Sequence, residues 1–211
     1  MRLGKISLGF VAIIVSSFAV FANDNTQKGT GQQLSFFMEV PEDVLSMTHG
    51  NSVPLASFPK GIPSLAGTKI DNMLAFTAKV RDQSGQFVGV ASELEDFPQD
   101  KQSKSPMVWD TLWTVMLKGR GSLFLVQQEI MITEDAQMFA EAISSGTSWV
   151  GKKTHATTYG PLVGARGVVR GGTGEFANTS GSFQEIVTLK KFTPQGELTA
   201  GIELRIWFDQ D

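Results

Sequence analysis

No cysteine occurs among the 211 residues. That absence excludes a disulfide scaffold, a zinc ribbon, a thiol nucleophile and a lipidated cysteine. Histidine is nearly absent as well. His49 and His155 are the two present, too few for a histidine-built metal site, and neither sits in a recognisable Ser-His-Asp context. A basic excess is also missing: 18 Lys and Arg face 21 Asp and Glu, for a formal net charge of −3. That balance argues against a general nucleic-acid binder. With 41% hydrophobic and 18% charged residues, the composition is that of a globular chain. No metal site and no cofactor are expected.

The chain opens on what reads as an export signal. Arg2 and Lys5 form a short positive region ahead of the apolar run Ile6 to Phe21, and Val20-Phe21-Ala22 offers small residues where a signal peptidase reads them. The run is about 16 residues, short of the ~20 that span a bilayer, so cleavage after Ala22 is expected. Removing residues 1–22 takes two basic residues and leaves 189 residues with 16 basic and 21 acidic. No later apolar run approaches spanning length. A soluble secreted or periplasmic protein is expected, held together by its core without disulfides.

Residues 23–33 are polar and read as a flexible leader, followed by one domain over 34–211. Leu34 to Val40 reads as a first strand. Pro41 to Lys69 holds four of the eight prolines, which opposes regular structure and suggests a long irregular loop. Asn72 to Arg81 alternates, with Leu74, Phe76, Ala78 and Val80 on one face, and Gln86 to Leu94 returns as its hairpin partner. Trp109 to Lys118 and Ser122 to Ile130 form a second hairpin pair. Thr133 to Ser145 predicts a short helix, with Thr133 as cap, Glu134 and Asp135 in the first turn, and Phe139, Ala142 and Ile143 on one face. Trp149 to Val163 is ambiguous between strand and loop. Ala165 to Arg170, Gly181 to Lys190 and Leu198 to Phe208 read as further strands. The sum is an all-β fold of about eight strands, best closed as an antiparallel barrel, which hides strand edges and can enclose a small ligand.

Seven of the 22 glycines lie between Gly160 and Gly181. The run Gly171-Gly172-Thr173-Gly174-Glu175-Phe176 follows a strand as a dinucleotide loop would, but it leads to another strand, through Gly181, and not to a helix. A tight bend between adjacent strands suits it better. Together with Val168-Val169-Arg170, this run resembles the signature strand pair of the allene oxide cyclase and dirigent proteins. Asp71 to Leu94 is similar to an earlier hairpin of theirs, and Gly121-Ser122 with the strand after it is similar to the dirigent middle region. The resemblance implies an eight-stranded barrel with an apolar cavity, often trimeric. It also implies an isomerase-type activity, guiding cyclisation or stereoselective coupling of a confined substrate by orientation and water exclusion. Glu39 is a plausible match for a first-strand glutamate of the cyclases. Their asparagine after the Phe-Thr step is replaced in Phe76-Thr77-Ala78, and Glu95 falls where they carry a cysteine. Both departures speak against the plant cyclase reaction itself.

Candidate catalytic groups are Glu39, Glu95 and Glu129. A carboxyl group facing an apolar barrel interior has a raised pKa and can exchange protons with a substrate. Glu39 alternates with Phe37, whereas Leu34, Phe36, Met38 and Val40 occupy the other face; either set could face inward. Glu129 shares a face with Leu123 and Leu125, and Asp110 is a weaker candidate. Phe37, Phe76, Trp109 and Trp113 are candidate cavity residues. Arg166, which shares a face with Arg170, could bind a ligand carboxylate. The expected partner is a small apolar molecule, taken either by an enzyme or by a lipocalin-type carrier.

Overall fold

A computed structural model describes residues 33–50, 62–97 and 106–210. The expected signal segment, and the leader up to its last residue, lie outside those residues. Among the described residues, eleven strands and one α-helix follow in chain order. β1 (Gln33–Val40) and β2 (Val44–His49) come first and do not pair with each other; the first hairpins are β3 (Met73–Arg81) with β4 (Phe87–Asp96) and β5 (Val108–Leu117) with β6 (Gly121–Ile130). After helix α1 (Thr133–Ser145) come β7 (Trp149–Ala156), β8 (Thr158–Gly160), β9 (Gly167–Gly172), β10 (Gly181–Phe192) and β11 (Leu198–Phe208).

Eight of the strands close a barrel, with antiparallel neighbours in the order β1-β11-β10-β9-β6-β5-β4-β3 and β1 again bridging β3 where Phe37 faces Arg81. The expected architecture is therefore present. The slot between β6 and β10 is filled twice along its length. β9 occupies one end, pairing with both; towards the other, β7 pairs β10 and β8 pairs β6. The ambiguous stretch from Trp149 resolves into these two short strands, each paired on one side, which leaves their alternation weak. Among the described residues no helix is long and apolar enough to cross a membrane.

The alternating faces point inward as expected on β3, β5 and β11. Leu74, Phe76, Ala78, Val80, Trp113, Val115, Leu204 and Ile206 are buried in one core. Two expectations need correction. The proline-rich stretch is not irregular throughout, because β2 lies within it. Asp43, fully buried, accepts from the Glu39 backbone N–H at 3.0 Å and from Arg81 Nε and Nη2 at 2.9 and 2.8 Å. A charge satisfied this completely holds the turn after Pro41 and lays β2 on β3. Nor does Thr133 cap α1: the cap position is Ile132, with no side-chain bond, while Glu134 and Asp135 do occupy the first turn. Ala142 is buried and Phe139 packs on Phe192 at 4.3 Å, but Ile143 is exposed.

The Gly171–Gly174 run forms the expected bend, entering a single 3-10 turn (Gly174–Phe176) that buries Phe176. Its glycines are needed for contact as well as for conformation. A Cβ at Gly172 would lie 1.8 Å from the Ser122 carbonyl oxygen, and Gly174 has φ +60 with Arg120 O at 2.4 Å from the same position. Thr173 locks the bend to β6, its hydroxyl accepting from Ser122 N–H at 3.0 Å.

Candidate functional site

Strand alternation carries six polar side chains into the barrel. On β4 the inward row is Ala91, Glu93, Glu95; on β5 it is Trp109, Thr111, Trp113; on β6 it is Leu125, Gln127, Glu129; on β10 it is Phe183, Glu185, Leu189. Register sets them side by side. Glu93 lies opposite Trp113, Glu95 opposite Thr111, and Glu129 opposite Trp109. Directly opposed residues share a face at Cβ separations of about 5 Å. Glu185 reaches the same group from across the divided slot.

Gln127, fully buried, ties the group together. Its Nε2 donates to Glu129 Oε1 at 2.7 Å and to Glu185 Oε2 at 2.6 Å, and its Oε1 accepts from the Thr158 hydroxyl at 2.6 Å. That hydroxyl in turn accepts from the Glu185 backbone N–H at 2.7 Å. Trp113 Nε1 donates to Glu185 Oε2 at 3.0 Å. Four buried atoms of this region lack a hydrogen-bond partner: Glu93 Oε1, Trp109 Nε1 and the Thr111 and Thr157 hydroxyls.

The carboxyl groups are pushed towards their neutral forms. Burial, then the charge of Glu185, raises Glu95 from 4.5 to about 8. Burial, then Glu95, does the same for Glu129, also to about 8. Glu93 and Glu185 are likewise raised well above 4.5, by burial and then by each one's carboxylate neighbours. Like charges this close cannot all ionise in a medium of low dielectric constant. At neutral pH Glu95 and Glu129 therefore keep their protons and can donate hydrogen bonds. Oxygens of Glu93, Glu95 and Glu129 lie within 4.8 Å of one another, close enough to share one bound cation.

All four glutamates border a cavity of about 160 Å³. Its remaining wall is almost wholly apolar and includes Phe76, Phe97, Trp109, Met131, Phe139 and Ile202. Its volume matches that of a cavity of roughly 150 Å³ that holds benzene.

The sequence-derived candidates divide cleanly. Glu95, Glu129, Phe76 and Trp109 lie on the cavity wall. Trp113 is fully buried behind it, as a donor to Glu185. Glu39 is corrected: β1 turns Phe36, Met38 and Val40 inward, and Glu39 lies outside, paired with Lys190. Phe37 shares that outer face, opposite Glu203. Arg166 is also outside, stacked 4.0 Å over the Trp207 ring and bonded to Ser182 at 3.2 Å. Asp110 is exposed, since its neighbour Trp109 takes the inward position. Sequence reading passed over Glu93, Thr111, Gln127, Thr158 and Glu185. A signal existed for most of them: Glu93 and Glu95 alternate with Ala91 and Phe97, Gln127 and Glu129 continue from Leu123 and Leu125, and Glu185 falls between Phe183 and Val187.

No family model matches the chain, and no curated protein matches it. Among solved structures, the chain is similar to AbnU, described as an exo-specific intermolecular Diels-Alderase, at 10% identity and a TM-score of 0.30. The match covers 83% of this chain and 99% of that one. At that score the likeness carries no argument about function.

Proposed function

We propose that this barrel is an exported, isomerase-type protein that confines a largely apolar small molecule and guides its cyclisation or stereoselective coupling. Glu95 and Glu129 act as its proton donors. One observation carries the reading: an apolar cavity bordered by four buried carboxyl groups and, among the described residues, by no basic one. Replacing buried charged or polar groups by apolar ones commonly stabilises a fold, so a purely structural interior has no use for them. A protonated carboxyl can donate to a carbonyl, ether or epoxide oxygen of the substrate as charge develops there, while the apolar wall fixes geometry and excludes water. Gln127 holds Glu129 and Glu185 in place as a positioning residue.

Export is supported by the charged and apolar pattern of residues 2–22. Self-association, a trimer by the family resemblance, is supported by Val90, Leu94, Leu112 and Met116, exposed apolar residues on the outer faces of β4 and β5. Native mass spectrometry of the purified chain tests ligand and subunit number together. The co-purified ligand, or its precursor, is then incubated with wild type and with Glu95→Gln and Glu129→Gln. Turnover is expected to fall 10²–10⁴-fold while binding persists. Unchanged ligand recovered from the wild type would leave a carrier, not an enzyme.

A further inference from the structure

We infer that the cavity selects a ligand bearing one protonated primary amine on an otherwise apolar, ring-sized body. The inference rests on the reading that the cavity takes a small molecule, and names the class of that molecule. Three carboxyl oxygens, from Glu93, Glu95 and Glu129, converge within 4.8 Å of one another. Three atoms within 4.8 Å of one another leave a position no more than about 2.8 Å from each, within the length of a charge-assisted N–H···O bond. A primary ammonium brings three donors, one for each oxygen.

Two further observations point to a missing partner at this place. Glu93 Oε1 and Thr111 Oγ1 belong to residues 5% and 2% exposed, yet neither atom has a hydrogen-bond partner. Buried polar groups are rarely left so. Among the described residues no Lys, Arg or His borders the cavity, so nothing there counters a carboxyl group that gives up its proton. An ammonium supplied by the ligand would give Glu93 Oε1 a donor and that charge a partner.

The rest of the wall says what carries that cation. Phe76, Phe97, Trp109 and Phe139 border the same space, and their rings suit both an apolar body and an adjacent ammonium. A bare metal ion could use the carboxylates but would leave the apolar volume of about 160 Å³ without an occupant. Because Glu95 and Glu129 hold their protons at neutral pH, docking an ammonium drives one proton out. Proton release therefore accompanies binding.

Calorimetry on the full chain at pH 7 tests this with benzylammonium, benzyl alcohol of matched shape, and calcium chloride. Benzylammonium is expected to bind at least tenfold more tightly than benzyl alcohol. Titrations in buffers of different ionisation enthalpy are expected to report about one proton released. Glu93→Gln should remove most of the preference for the amine while changing benzyl alcohol affinity by less than about threefold, and Thr111→Val provides a second, milder variant. Benzyl alcohol binding as tightly as the amine would overturn the amine assignment and leave confinement standing. Calcium binding more tightly than the amine would replace it with a metal site. Failure of both benzyl compounds to bind would overturn confinement as well.

Discussion

At the scale of single residues, the interior glutamates set how the protein responds to pH. Glu95 and Glu129 are raised from 4.5 to about 8, mainly by burial. In the unfolded chain they ionise near 4.5, whereas the folded chain keeps their protons until about pH 8. The unfolded state therefore binds fewer protons across that window, and stability falls as pH rises through it. Below the unfolded pKa both states are protonated and the contribution is at its fullest. Melting curves between pH 4.5 and 8.5 are expected to show Tm declining towards the alkaline end. The double variant Glu95→Gln/Glu129→Gln should flatten that decline and raise Tm at pH 8 by roughly 5 °C or more. A wild-type profile that is flat or rises over this range would show the two carboxyl groups ionised in the fold. Gln127 is what keeps two of the acids in register, since its one amide nitrogen reaches Glu129 and Glu185 at once.

At the scale of elements, α1 forms part of the cavity wall and is fastened near its first turn. Phe139 borders the cavity and packs on Phe192 of β10 at 4.3 Å. Asp135, 3% exposed, takes Lys153 Nζ at 2.6 Å and His155 Nε2 at 2.9 Å, both from β7. Burial pushes the Asp135 carboxyl up, but the two partners together outweigh it and hold it below 3.8. Its contribution is thus present above the unfolded pKa and is lost as pH falls through the lower folded one. Asp135→Asn keeps the shape, removes the charge, and is expected to cost about 1–3 kcal/mol. Because the loss falls on one element, amide exchange in α1 should quicken by roughly 5–100-fold while the β5 and β6 amides change little. Equal acceleration throughout would mean that α1 opens only with the whole barrel.

At the scale of the molecule, the barrel could be read from sequence because its best strands bury one face and wet the other. Leu74 to Val80 and Trp109 to Val115 alternate without interruption, and their parity holds in the structure. β1 could not be oriented in the same way, since Phe36, Phe37 and Met38 place apolar groups on both faces and the glutamate beside them was taken as a candidate. The acid cluster was half visible: each member alternates with apolar neighbours, but only pairing across β4, β5, β6 and β10 shows that they converge, and pairing is not local information. What the assembled barrel adds is empty space. An unfilled volume forfeits packing contacts at roughly 24 cal/mol per Å³, so about 160 Å³ is a liability of a few kcal/mol that a purely structural barrel would fill. Ala200 borders that space from β11, opposite Val40 and Leu189, and is 1% exposed. Ala200→Leu puts three more carbons into the cavity and is expected to stabilise the protein by about 1 kcal/mol. That gain raises Tm by roughly 2–4 °C in a chain of this length, and the same change should abolish binding of the benzyl compounds. A lower Tm would show a wall already close-packed around Ala200. Retained binding would place the ligand elsewhere, so stability and affinity moving in opposite directions is the result that ties the cavity to function.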